Sequence, residues 1–459
     1  MNRRKSTEEY ERSVATNPRS CSNDDAGRFV CHSHTRPPDM LPLAPRILLL
    51  IIVLSPRASV AGDWPQILGP NRNGAAADDE KLADAWPAEG PKATWSKKVG
   101  SGYAGLAVAG PRAYLYHRVG DFDVLEAMNP ATGETLWKEG NPTSFTPGVG
   151  SGDGPLCVPT VAGDLVITYS PQGLLSVRNA STGQLAWKRS THQEFNAQEG
   201  YFGAGNTPLV VGHVVIVNVG GARTGAGVVG FALKTGAPLW KQVNDQASYS
   251  TPILLHDKSR DLAIVITRLK CVALNPETGN PVWEFPFGQR GPTVNGAAPV
   301  VVRDRLFLTA SYGIGGVLLD LKPNAVEPLW ADTDTLASQY GTPVEADGLL
   351  YGFHGRDDIP PAEFRCVDPF AVHFKQRVLW SVPDFGYGTV IKADGKLILV
   401  KTDGTIILAA ISREKYAPKS EFKAFDSTIR ALPALAQGGL FVRDEKTLKR
   451  FEVGGVSKP

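Results

Sequence analysis

The sequence predicts an all-β ring, an eight-bladed β-propeller of four-stranded antiparallel blades closed by an N-terminal strand. Three observations predict it. A Thr-Gly turn stands at a fixed distance before a tryptophan in repeat after repeat; an independent series of turns between apolar runs also counts to eight; and the C-terminal tail is one strand short.

The repeat is plainest in AMNPATGETLWK at 127–138, NASTGQLAWK at 179–188, ALKTGAPLWK at 232–241 and ALNPETGNPVW at 273–283. Gly133, Gly183, Gly236 and Gly279 each precede their tryptophan by four residues, and glycine supplies the positive φ that a reversing hairpin needs. Leu136, Ala186, Leu239 and Val282 stand just before Trp137, Trp187, Trp240 and Trp283, so this strand carries apolar side chains on both faces. That pattern predicts burial of both faces, as between two neighbouring blades. Weaker repeats continue through Trp330, Trp380 and Phe422 and begin earlier at Trp95, at intervals of 42 to 53 residues, which suit a four-stranded unit.

The second series comprises Gly110-Pro111, Gly163-Asp164, Gly212-His213, a longer turn at 256–261, Arg303-Asp304, Asp347-Gly348, Asp394-Gly395 and Gly438-Gly439. Strand-forming runs such as Leu165 to Tyr169 and Leu397 to Val400 follow. Residues 430–453 supply only three apolar runs, with Leu440 to Arg443 central, whereas the segment around Trp95 is an outer strand with no blade ahead of it. The expectation is that it completes the last blade and removes the most exposed edge.

Composition suits many short strands and tight turns: 48 glycines, 35 prolines and 20% charged residues in 459. A net charge of +2 gives no global field for nucleic acid or an anionic membrane surface. Residues 1–61 read as a leader with a signal peptide. Arg46 precedes an apolar run from Ile47 to Leu54 too short to span a bilayer, and Ser59, Val60 and Ala61 place small residues for cleavage before Gly62. Met40 begins a segment of ordinary signal length and is an alternative start. The expected organisation is therefore leader 1–61, N-terminal extension 62–92 and propeller 93–459, exported to the periplasm or beyond without a transmembrane segment. Cys21 and Cys31 fall in the leader; Cys157, Cys271 and Cys366 read as small apolar fillers.

The N-P-x-T-G-x-x-x-W form of the repeat, with the opening Asp63-Trp64-Pro65-Gln66 and Gly69-Pro70-Asn71-Arg72-Asn73-Gly74, resembles the pyrroloquinoline-quinone-like (PQQ-like) propeller family. That family lies within the quinoprotein alcohol dehydrogenase-like superfamily and includes the barrel-assembly lipoprotein of the bacterial outer membrane. The resemblance spans roughly residues 63–453. The recurring Gly-His and Trp-Asp signatures of WD40 propellers are missing. Two functions are implied: a non-catalytic scaffold for a protein or envelope partner, or a quinone-dependent oxidoreductase holding PQQ with calcium. In the dehydrogenases the quinone rests on a disulfide between adjacent cysteines, and no Cys-Cys pair exists here. No acidic residue maps onto a catalytic motif; Asp153, Asp257 and Asp403 read as solvated turn residues. H-E-x-x-H and G-x-S-x-G are absent, so no catalytic or metal residue is assigned.

The loops that enter each first strand and those between second and third strands open on one face of a propeller. The former carry Tyr103, Phe202, Tyr249, Tyr340 and Tyr387; the latter carry Arg118, Arg223, Arg268, Arg356, Lys401 and Arg443, with His117 and His354 beside them. These residues predict a cationic, aromatic funnel able to stack a flat anionic ligand, receive an acidic peptide or serve a ligand sensor. The competing reading is that the aromatics pack inner blade ends and the basic groups are solvated or neutralised locally.

Overall fold

A computed structural model describes residues 62–150, 152–257 and 260–454; the leader expectations lie outside them. Eight four-stranded antiparallel sheets follow one another around a ring. Blade 1 is built from Leu106–Ala109, Arg112–Val119, Phe122–Met128 and Thr135–Pro142. Blades 2 to 7 span 160–190, 209–242, 253–286, 300–332, 344–382 and 388–423. Blade 8 takes Ala434–Ala436, Gly439–Arg443 and Thr447–Glu452 from the C-terminal end and its outer strand, Ala93–Lys98, from the other end of the propeller, with Trp95 opposite Arg450. The expected closure is therefore present.

The repeat works between blades. Gly133, Gly183, Gly236 and Gly279 lie at φ of +71° to +76°, and each receives the indole of the preceding blade. A Cβ added to Gly236 would stand 2.6 Å from the Trp187 ring, and one on Gly133 2.9 Å from Trp95. The indole N–H then donates to a carbonyl on the same turn: Trp95 to Pro130 at 3.0 Å, Trp187 to Leu233 at 2.8 Å, Trp240 to Pro276 at 3.1 Å. Each tryptophan thus joins two blades by stacking and by a hydrogen bond.

Burial of both faces of the outer strand does not hold. Leu136, Leu239 and Leu329 remain 50%, 46% and 51% exposed, because blades diverge with radius and only the tryptophan side of the outermost strand meets a neighbour. Both-sided burial belongs to the inner strands, such as Val214–Gly221, which is buried throughout. Cys157, Cys271 and Cys366 are free and buried, as fillers should be. Burial pushes the Cys157 thiol up to about 12 and Cys366 up to about 11, so neither is a ready nucleophile.

Candidate functional site: a mouth plugged from behind

The antiparallel order puts the first-to-second-strand turns on one face and the entering loops on the other. The extension closes the first of these. Trp64, only 1% exposed, bridges to Val108 of blade 1; Pro65 accepts from Val161 N of blade 2; Gly74 and Ala76 bond Lys392 of blade 7. Between these anchors Arg72 enters the ring. Its guanidinium donates to Thr251 Oγ1 and Pro252 O, both at 2.9 Å, to Thr207 O at 3.2 Å, to Thr160 Oγ1 at 3.3 Å and to Pro208 O, while Gln66 Oε1 holds Nε at 2.7 Å. Those acceptors begin the inner strands of blades 2, 3 and 4. No carboxylate is among them, and burial lowers the guanidinium to about 9.

On the open face, half of the predicted funnel is consumed by internal bonds. Tyr387 is buried, and its hydroxyl accepts from Tyr340 N and Gly341 N, both at 2.8 Å, while Tyr340 stacks edge-on at 4.8 Å. Arg443 is 1% exposed and donates to Gly100 O, Asp444 O and Glu445 O; burial lowers it to about 10. Arg356 binds Asp358 and covers the Tyr312 ring at 4.1 Å; Lys401 pairs with Asp403 at 3.2 Å; Arg118 donates to Phe145 O and Asp153 O. Tyr103 donates to Glu445 at 3.0 Å and lies 5.8 Å from Arg430, which pairs with Asp357 across blade 7 at 2.8 Å. Over blades 6, 7, 8 and 1, the competing reading describes these residues.

Over blades 2 to 5 a cleft of about 650 Å³ stays open. It brings together Tyr249 and Arg268 of the predicted set and adds Tyr201, Arg290 and Asn295. Tyr249 accepts from Phe202 N at 3.0 Å and packs against the Phe202 ring at 5.7 Å; burial raises its phenol. Arg268 donates to Thr293 Oγ1 at 2.7 Å and to Gly291 O, which fixes the loop bearing Arg290. Among the described residues neither arginine has a carboxylate partner. Arg223 is exposed on the 3-10 turn Ala222–Thr224 and lies outside the cleft lining. The sequence reading missed Arg290 because it sought basic groups only between second and third strands; the entering loops carry one too. Arg430 was missed for the same reason.

Among the described residues no three His, Cys, Asp or Glu converge to hold a metal ion, the three cysteines are apart, and Arg72 occupies the inner ring on blades 2 to 4. No helix among the described residues is long and apolar enough to cross a membrane.

A family profile described as outer membrane protein assembly factor BamB matches residues 120–369. No curated protein sequence matches the chain. Among solved structures, BamB from Moraxella catarrhalis is 14% identical, with TM-score 0.58 over 80% of this chain and 99% of that one. Quinohemoprotein alcohol dehydrogenase from Comamonas testosteroni is also 14% identical, with TM-score 0.61 over 88% of this chain and 82% of that one. At that identity the likeness speaks to fold alone.

Proposed function

The chain belongs to the family described as outer membrane protein assembly factor BamB, and from that membership we propose that it is an exported, non-catalytic propeller that holds a protein or envelope partner at the open half of its mouth. One observation carries this reading: Arg268 and Arg290, both without a carboxylate partner among the described residues, flank Tyr201 and Tyr249 in a cleft reaching across blades 2 to 5. A planar cation beside aromatic faces suits an acidic side chain on an extended segment, through bidentate contact and stacking. Arg72 reinforces the field, since it bonds Thr251, two residues beyond Tyr249, and has no carboxylate partner among the described residues.

Fluorescence anisotropy with labelled Asp/Glu-rich peptides tests the reading. Binding should weaken as salt rises and fall about tenfold for Arg268→Glu or Arg290→Glu; equal affinity for uncharged peptides would remove its basis. A second arm incubates the protein with PQQ and calcium. Quinone that is retained and reduces a dye with alcohols or sugars would replace this proposal with the oxidoreductase one.

A further inference from the structure

Each blade ends in an outer strand that no further strand covers among the described residues, and such an edge is a template for pairing with another chain. Charged side chains guard seven of the eight edges. TLWKEGNP at 135–142, LAWKRS at 185–190, PLWKQ at 238–242, PVWEFP at 281–286, AVEPLWAD at 325–332, APKSEFK at 417–423 and the closing ATWSKK at 93–98 each contain lysine, arginine or an acid. Blade 6 ends instead in VLWSV, Val378–Val382, with neither charge nor proline. Shortness does not replace a guard, because the equally short Pro238–Gln242 keeps both a proline and Lys241.

The surroundings of the blade 6 edge are open. Its backbone pairs with Glu363–Val367 on one side and, among the described residues, makes no other backbone bond. The Trp380 indole donates to Ser412 O of blade 7 at 3.0 Å, so the edge is presented by backbone and not by the ring. Residues 368–377, which lead into the strand, stand in place of the Thr-Gly turn and leave Val372 85% and Phe374 55% exposed. Just outside the strand lie Lys375 and Asp384, both exposed and neither in an ion pair among the described residues. Arg377, by contrast, is committed to Asp332 at 2.7 Å.

An antiparallel two-fold about Trp380 sets Val378 of one chain opposite Val382 of the other, and brings the Lys375 end of each copy to the Asp384 end of the other. The edge is therefore complementary to itself in charge as well as in hydrogen bonding. We propose that the outer strand of blade 6 pairs with the same strand of a second copy, in a two-fold dimer whose sheet runs from one ring into the other. The Arg268 and Arg290 cleft takes no part in it, so the partner reading stands or falls separately.

Sedimentation equilibrium of the full chain should show a reversible monomer–dimer equilibrium in the micromolar range, as a small interface dictates. Ser381→Lys gives this edge the guard that the others have; it should weaken the dimer by about tenfold or more, with an unchanged thermal melt showing that the fold is kept. Val372→Ser combined with Phe374→Ser should weaken it severalfold. Lys375→Glu and Asp384→Lys should each weaken it alone, because each sets like charges across the two-fold, whereas an equimolar mixture of these two variants should dimerise as the parent does. Arg268→Glu should leave dimerisation unchanged, and Ser381→Lys should bind acidic peptides as the parent does. The proposal is overturned if the chain stays monomeric at about 100 µM, if Ser381→Lys dimerises like the parent, or if mixing restores nothing. Capture of an unrelated extended peptide at this edge by a chain that remains monomeric would also overturn it, in favour of strand donation by a different protein.

Discussion

Gly236 shows how much of this fold rests on single positions. Its φ of +71° is costly for any side chain, and the Trp187 ring already fills the space a Cβ would need. Gly236→Ala should therefore destabilise by about 2–4 kcal/mol, from the left-handed backbone and the overpacking together. A thermal melt indistinguishable from the parent would remove the glycine from its role as the indole's seat. Truncating the indole probes the same contact from the other side. Trp240 is 9% exposed, so Trp240→Ala should cost about 3–5 kcal/mol, whereas the half-buried Trp137 should cost less on the same substitution. Denaturant titrations that reverse this order would indicate that the hydrogen bond to the next blade, rather than burial, sets the energy.

Among elements, the extension holds the least expected feature. Residues 62–92 form only isolated bridges to the sheets, yet Arg72 ties three blades through one guanidinium. Arg72→Lys should destabilise nearly as much as Arg72→Ala, by about 3 kcal/mol or more, because an ammonium has three donors and no fork with which to replace bonds to Thr160, Thr251, Pro208 and Pro252. Lysine retaining a parental melting temperature would contradict that geometry. The sequence displayed Arg72 within a specific opening motif but not its destination, since its partners are mostly backbone carbonyls and threonines more than 80 residues away. The tryptophan repeat was legible because both halves of each contact recur at fixed spacing. Arg443 shows the converse failure: a basic residue before Asp444 and Glu445 looks solvated, yet its guanidinium turns inward onto Gly100. Local composition does not encode that turn, and so the predicted funnel narrows to Tyr249 and Arg268.

At the scale of the whole ring, stability converges on the joint where the two ends of the propeller meet. Lys97 of the closing strand reaches Glu126 of blade 1 at 2.8 Å, and His117 Nε2 approaches the same carboxyl at 3.4 Å. Burial alone raises the Glu126 carboxyl, but bonds from His117, Lys97 and Thr135 outweigh it and hold the group down at about 2. Its contribution is thus present above pH 4.5, the ordinary value, and is lost as pH falls towards 2. His192 and His354 act in a higher window. Burial lowers both from 6.5 to about 4, so the unfolded chain takes up protons that the folded ring refuses, and stability drains as pH falls from 6.5 to 4. Asp123 opposes them: burial raises it to about 6, so its contribution is present below pH 3.8 and lost as pH rises through 6. Burial lowers His117 and raises Glu80 as well, so three histidines stand against two carboxyls, and the melting temperature should fall between pH 6.5 and 4, then fall again below 4.5 as the joint is protonated. His354→Gln should flatten the first decline only. Glu126→Gln should shrink the second, to which Glu363, Asp394 and Asp403 also contribute, while lowering the melting temperature already at pH 7, because the amide leaves the Lys97 ammonium without its anion. If Glu126→Gln melts like the parent at pH 7, the ring is held at its seam by Trp95 on the Gly133 turn, and the buried carboxyl is incidental to closure.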